Sequence, residues 1–273
     1  MKQYRLMVVI VLILTAMGLG LIIFKNYRGF GTKLSVTDQT STGTMSCVIY
    51  AIHEDDQHNT QFVSIDPKDL TPKPIGPLQK YEFTGLDIHP QTKKLYTTVD
   101  QSGDLYEVDP LTGKISLMGT LNYNKVSSLA FHPQDNTLWG WAEEYGLIKI
   151  VLPNTTAELI YPSTRQPRGL AWSSDGKKLY AVIEDEQDVF VYDPVEKTFT
   201  KLASNAVKNS EGLATAGGDL VLGASEIDDG KLTLYLYDTQ NLTITKEVAI
   251  DTPYFKYEGL AWPYGCGVPA LGD

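Results

Sequence analysis

From residue 48 onward, apolar residues come in short runs separated by polar residues and turn formers, and the runs recur as a unit. The phrases "FTGLDIHPQTKKLYTTVDQSGDLYEVDPLTGKISLMGTL", "VSSLAFHPQDNTLWGWAEEYGLIKIVLPNTTAELIY", "PRGLAWSSDGKKLYAVIEDEQDVFVYDPVEKTFTKL" and "SEGLATAGGDLVLGASEIDDGKLTLYLYDTQNLTITKEV" follow one another. Gly85, Ser128, Gly169, Gly212 and Gly259 mark equivalent points 43, 41, 43 and 47 residues apart. Each unit carries four β-type runs, in the third "GLAW", "KLYAV", "VFVYDP" and "FTKL", with Asp, Pro and Gly in the turns "SSDGK" and "DPVEK". Four strands at a period of 40 to 47 predict β-propeller blades rather than helix pairs.

The ends of the repeat fix the blade number. Residues 48–78 hold the second, third and fourth strands of a blade without a first, and "YEGLAW" near the C-terminus is a first strand without successors. Together they complete one blade, which predicts five blades in a ring closed by the C-terminal strand. Closure of this kind removes an open sheet edge. Superposing "GLAWPYGCG" and "MSCVIYAI" on the third continuous unit places Cys266 on Gly176 and Cys47 on Lys177, at adjacent points of one hairpin. The only two cysteines are therefore predicted to form a disulfide, and a disulfide implies an oxidising compartment.

The N-terminal pattern is different. Residues 6–24, "LMVVIVLILTAMGLGLIIF", are uncharged throughout, and a helix of that length would span about 28 Å, close to a bilayer's hydrocarbon core. The run is longer than the apolar region of a cleavable signal peptide and ends on bulky residues, so it is expected to be an uncleaved anchor. Lys2 and Arg5 on one side face Lys25, Arg28 and Lys33 on the other, so the positive-inside rule does not orient it. The predicted disulfide does, with the N-terminus cytoplasmic and the propeller periplasmic or extracellular. The expected order is a stub (1–5), a signal-anchor helix (6–24), a Ser/Thr/Gly linker (25–46), the propeller (47–267) and a short tail (268–273).

Composition adds little to the fold and something to the function. The 16 tyrosines, against 8 Phe and 4 Trp, favour strands. A net charge of -10 argues against nucleic acid as a partner. No Gly-rich phosphate loop, metal-spaced His pair or nucleophile elbow is present. His89 and His132 recur in matching turns, "IHPQ" and "FHPQ", and read as architecture, as Trp139, Trp141, Trp172 and Trp262 read as core.

The phrases "EGLAW", "SEGLA" and "SSDGKKLYAV" resemble β-propellers of the lactonase, NHL and phytase-like groups over about residues 47–267. The resemblance implies that the segments leading into first strands and the turns between second and third strands share one face around a central channel. Thr84, Ser127 or Ser128, Arg168, Glu211 and Glu258 would then ring the channel mouth. The second-to-third turns would add an acidic face: Glu54 and Asp55, Asp100, Glu143 and Glu144, Glu184 and Asp185, Glu226 and Asp228. Lys93, Lys94, Lys114, Lys177, Lys178 and Lys197 would gather on the opposite face.

In lactonase-like propellers a Glu in the "EGLA" phrase helps to hold a divalent metal, which carries over only to Glu211 and Glu258. Arg168 in the ring, the lack of Asn at the other positions and five blades in place of six depart from that pattern. The main functional expectation is a membrane-anchored binding or scaffold module that meets a protein, glycan or cation on the acidic face. The alternative is a Ca²⁺-assisted hydrolase of lactones or phosphate esters, with Glu211 and Glu258 at the mouth and His53 as an acid/base partner.

Overall fold

The computed structural model describes residues 46–183, 187–204, 209–227, 231–250, 252 and 256–272. The expected anchor and almost all of the linker lie outside them, and no helix of the described residues is long and apolar enough to cross a membrane.

Twenty strands form five four-stranded antiparallel sheets. Blade 1 is made of β20 (Lys256–Ala261), β1 (Ile49–Glu54), β2 (Thr60–Ile65) and β3 (Pro72–Gln79), in that order. Blade 2 runs from β4 (Phe83–Ile88) through β5 (Leu95–Val99) and β6 (Asp104–Val108) to β7 (Ile115–Thr120). Blade 3 comprises β8 (Val126–Phe131), β9 (Leu138–Ala142), β10 (Gly146–Val151) and β11 (Thr156–Pro162). Blade 4 comprises β12 (Pro167–Trp172), β13 (Leu179–Ile183), β14 (Asp188–Asp193) and β15 (Thr198–Ala203). Blade 5 comprises β16 (Ser210–Gly217), β17 (Leu220–Ile227), β18 (Lys231–Asp238) and β19 (Thr243–Ile250). The protein is thus the five-bladed, end-closed β-propeller that its repeat predicts.

There is no single core. Apolar side chains collect in five clusters, one between each pair of neighbouring blades, and the cluster between blades 5 and 1 joins Ala51 and Leu260 to Leu222 and Leu234. The first strands β4 and β8 are buried along their whole length and β12, β16 and β20 at all but one position each, because both faces of each sheet are covered by the neighbouring blades. The outermost strands alternate towards solvent, as in the exposed pattern of Ile115–Thr120. The four tryptophans are core, with Trp141 and Trp172 almost fully buried.

The recurrent glycine has a steric cause. First strands of adjacent blades approach so closely that a Cβ on Gly259 would lie 2.8 Å from Leu86 Cβ. One on Gly212 would lie 2.9 Å from Leu260 Cβ, and one on Gly169 2.7 Å from the Leu213 amide nitrogen. The "GL" phrase is therefore a packing signal. Each first strand has a β-bulge that leaves one residue unpaired, just ahead of the phrase in blades 3, 4, 5 and 1 (Ser127, Arg168, Glu211 and Glu258) and at its glycine, Gly85, in blade 2. A bulge re-aims the side chain it carries.

Ring closure is covalent as well. Cys47 and Cys266 form a disulfide with Cα atoms 5.6 Å apart across a separation of 219 residues, and β20 pairs with β1 from Tyr50↔Ala261 to Glu54↔Lys256. His89 and His132 act as turn caps: their Nδ1 atoms accept amide hydrogens from Thr92 and Asp135 at 3.2 Å. Three of the far-face lysines have acidic partners on the same face: Lys94 pairs with Asp109 at 2.5 Å, Lys177 with Asp175 at 2.9 Å and Lys178 with Asp193, so that face is not purely basic.

Candidate functional site at the channel mouth

All first strands start at the same end of the ring, and backbone hydrogen bonds knit the turns there into one rim. The Asp100 amide donates to the Glu82 carbonyl at 3.0 Å, Lys125 to Asp100 at 2.7 Å and Glu143 to Lys125 at 2.9 Å. The segments leading into first strands and the second-to-third turns therefore share a face.

Of the five residues expected around the mouth, Arg168, Glu211 and Glu258 occupy bulge positions. In blade 3 the bulge residue is Ser127, whose Oγ donates to the Pro167 carbonyl at 2.9 Å, whereas Ser128 takes the place of the packing glycine and its Oγ is buried without a hydrogen-bond partner. Thr84 is buried and donates to the Val126 carbonyl at 3.0 Å, which makes it a wall residue. Arg168 reaches Glu143 at 3.5 Å. Glu184, Asp185 and Asp228 lie outside the described residues, as does the side chain of Glu226.

The densest charge cluster sits where β20 meets β1. Lys256 Nζ lies against Glu258 Oε1, off the axis of a directed hydrogen bond, and 3.1 Å from Glu54 Oε2. Glu54 is the last residue of β1 and its side chain is 3% exposed, yet its Oε1 is met by His58 Nδ1 at 2.5 Å. His58 Nδ1 is also 3.7 Å from Glu82 Oε1. The turn that brings His58 back over Glu54 is held by Asp55, whose Oδ1 accepts the amide hydrogens of Gln57 and Asn59 at 2.9 and 2.8 Å. The Asn59 side-chain amide, which donates to both carboxylate oxygens, and these backbone bonds hold the half-buried Asp55 carboxyl below its ordinary range. Beside the cluster is an open cavity of about 450 Å³ lined by Glu54, Asp55, Asp56, His58 and Lys256.

Burial pushes the Glu258 carboxyl up, against the pull of Lys256, while Glu54 raises it further and Arg168 lowers it. For Lys256 burial alone would act downward, and the carboxylates of Glu258 and Glu54 reverse it and hold the ammonium above its ordinary value. His53 is a strand residue, 6% exposed, whose Nδ1 donates to the Lys256 carbonyl at 3.2 Å. Burial lowers its pKa, so the ring is neutral near pH 7. The ring also lies 6.2 Å from that of Tyr257. Among the described residues of the mouth, Glu54, Glu143 and Glu258 thus have cationic partners.

Lys256, His58 and Glu82 were not singled out by sequence reasoning. Some signal was available. Lys256 stands two residues before Glu258 in "KYEGL", and His58 closes the acidic turn "HEDDQHN". The contact with Glu82 joins two blades and has no local signature.

At the opposite end the C-terminal segment crosses from blade 1 to its neighbours. Tyr264, which follows β20, donates from its hydroxyl to the Phe131 carbonyl at 2.6 Å and sits 3.3 Å from Asp87 Oδ2, so that the C-terminal segment reaches blades 2 and 3. Lys93 Nζ donates to the Tyr264 carbonyl at 2.9 Å. A cavity of about 240 Å³ beside it is lined by Thr215, Trp262, Tyr264 and the glycines of the C-terminal turn.

Fold and mouth define the class: a five-bladed β-propeller whose C-terminal strand completes its first blade and whose mouth carries charged residues. No family model and no curated protein matches the chain. Among solved structures it is similar to a chain of a nidogen/laminin complex, with a TM-score of 0.55 at 10% identity over 79% of this chain and 97% of that one. It is also similar to TolB from Acinetobacter baumannii, with a TM-score of 0.52 at 13% identity over 81% and 67% of the two chains. A Bacteroides thetaiotaomicron protein of unknown function gives a TM-score of 0.51 at 15% identity over 65% and 54%. At these identities the likeness is one of fold.

Proposed function

We propose that the protein is a membrane-anchored, extracytoplasmic binding module that receives a basic group of a partner protein on its mouth face. The carrying observation is the asymmetry of the channel: Tyr264 ties the C-terminal segment to Phe131 at the far end, whereas the mouth has the exposed Glu144, Glu143 beside it and an open cavity lined by Glu54, Asp55 and Asp56. Residues 6–24 would anchor the chain and residues 25–46 would tether it. The nidogen/laminin complex, by its name an assembly of proteins, supports a binding role for a propeller of this shape. A Ca²⁺-assisted hydrolase centred on Glu258 finds less support, because the Lys256 ammonium holds the position that a cation would take.

The reading is tested with a lysine-rich peptide as probe and the full chain in detergent. Binding should weaken with salt and fall at least fivefold when Asp55, Glu143 and Glu144 are neutralised to Asn, Gln and Gln. Neutralising Asp175, Glu196 and Asp238 on the far face should leave it unchanged. Equal losses in the two variants would reduce the interaction to net charge and remove the mouth from the proposal.

A further inference from the structure

We infer that Glu54, His58 and Glu82 form a site for a first-row divalent transition metal. The three donor atoms, two carboxylate oxygens and one imidazole nitrogen, all lie within 4.8 Å of one another. Tetrahedral coordination at bond lengths of about 2.0–2.2 Å sets donor atoms roughly 3.4 Å apart, and the His58 nitrogen already stands 2.5 and 3.7 Å from the two carboxylates. The remaining adjustment falls on groups that can move. Glu54 is fixed by burial, whereas His58 is 67% exposed and Glu82 34% exposed.

Charge points the same way. Glu54 and Glu258 share a single ammonium, Lys256, and Glu82 brings a further carboxylate to within 3.7 Å of His58 Nδ1. Lys256 does not compete for the metal-facing atom. It binds Oε2 of Glu54 and leaves Oε1 on the His58 side, the arrangement in which an outer hydrogen bond orients a ligating carboxylate. The 450 Å³ cavity shares Glu54 and His58 and provides space for a fourth ligand.

The donor set selects the ion. Calcium prefers six to eight oxygens, whereas an imidazole with two carboxylates suits Zn²⁺ or its neighbours. This site is distinct from the Glu211 and Glu258 positions and does not depend on the basic-partner reading.

The test uses the untagged full chain, stripped with chelator and titrated at pH 7.5 with ZnCl₂ or CaCl₂ alone. We expect one Zn²⁺ per chain by calorimetry and a Tm increase of about 5 °C or more at a hundredfold excess over Kd, with no shift from Ca²⁺. His58→Ala and Glu82→Gln should each weaken Zn²⁺ binding at least tenfold while keeping the metal-free Tm, since both side chains are near the surface. Asp175→Asn should bind as the natural chain does. The inference is overturned if the natural chain takes up no Zn²⁺, or if His58→Ala binds it undiminished, which would place the ion on another histidine.

Discussion

The two ends of the channel use the same strands for opposite purposes. At the far end the first strands stop in histidine- and aspartate-capped turns, and the C-terminal segment lays Tyr264 across to Phe131 and Asp87. Bonds there run between blades and leave little to move. At the mouth the same strands begin in bulges that carry Ser127, Arg168, Glu211 and Glu258, and their neighbours are ion pairs such as Arg168 with Glu143 and Lys256 with Glu54. The exposed pair of Lys125 with Glu144 contributes little to stability, about 0–1 kcal/mol, whereas Glu54, 3% exposed, is a buried partner whose loss would cost more. The contrast sets hydrogen bonds between blades at the far end against ion pairs at the mouth, and substitutions at the two ends should separate accordingly.

The largest effect is expected at the closure. Replacing both Cys47 and Cys266 by Ser opens a loop of 219 residues, which in the chain-entropy model lowers stability by at most about 5 kcal/mol. In thermal unfolding this should appear as a Tm fall of roughly 10–20 °C for a domain of this size, with a matching shift when the natural chain is reduced. A fall below about 2 °C would show that the hydrogen bonds between β20 and β1 close the ring without help.

Next comes Asp87. Burial raises its pKa from 3.8 to about 7, against the amide hydrogens of Phe131 and Ile88 and the Tyr264 hydroxyl, which pull it down. The folded chain therefore keeps a proton that the unfolded chain has lost between pH 3.8 and about 7. The stability contributed by this group is complete below that window and is lost as pH rises through it, by no more than about 4 kcal/mol. Asp87→Asn should flatten the decline in Tm between pH 5 and pH 8. An unchanged slope would mean that Tyr264 and the two amides hold the carboxylate charged.

A smaller effect, about 1–3 kcal/mol, is expected from Gly259→Ala, because its Cβ would press on Leu86 of the next blade at 2.8 Å. Denaturant unfolding measures it. A neutral result would mean that the wall between blades 1 and 2 can spread and is softer than the far end it leads to.

The architecture was legible because each of its requirements is local and repeated. The packing glycine, the apolar first strand and the Asp-led turn recur in nearly every unit, and the closure follows from the two incomplete ends. The cysteines were legible for the same reason, since superposing one blade on another carries Cys47 and Cys266 to one hairpin. The mouth was only partly legible. Position in the repeat picked out Arg168, Glu211 and Glu258, which stand at bulges, but could not distinguish Ser127 from Ser128, which differ by one residue of bulge register. Nor could it pair charges across blades. Lys256 with Glu54 joins residues 202 apart, and His58 with Glu82 joins a turn of blade 1 to the segment leading into blade 2. Such pairings depend on the ring and leave no spacing in the chain.

The smallest stability effect is predicted for the mouth itself, and it bears most directly on the comparison. Glu144 is exposed, stands at a φ of 67° and lies 4.0 Å from Lys125, while the Glu143 side chain is 13% exposed and meets Arg168 at 3.5 Å. Glu143→Gln with Glu144→Gln keeps the shape of both side chains, so only charge interactions are removed. If the rim is built for recognition, the double variant should unfold within about 0.5 kcal/mol of the natural chain while its affinity for a basic peptide falls severalfold. A loss above about 2 kcal/mol would instead make the Glu143 pair with Arg168 a structural tie between blades 3 and 4. The mouth would then share the far end's role, and the site for a partner would have to be sought at the cavity beside Glu54 alone.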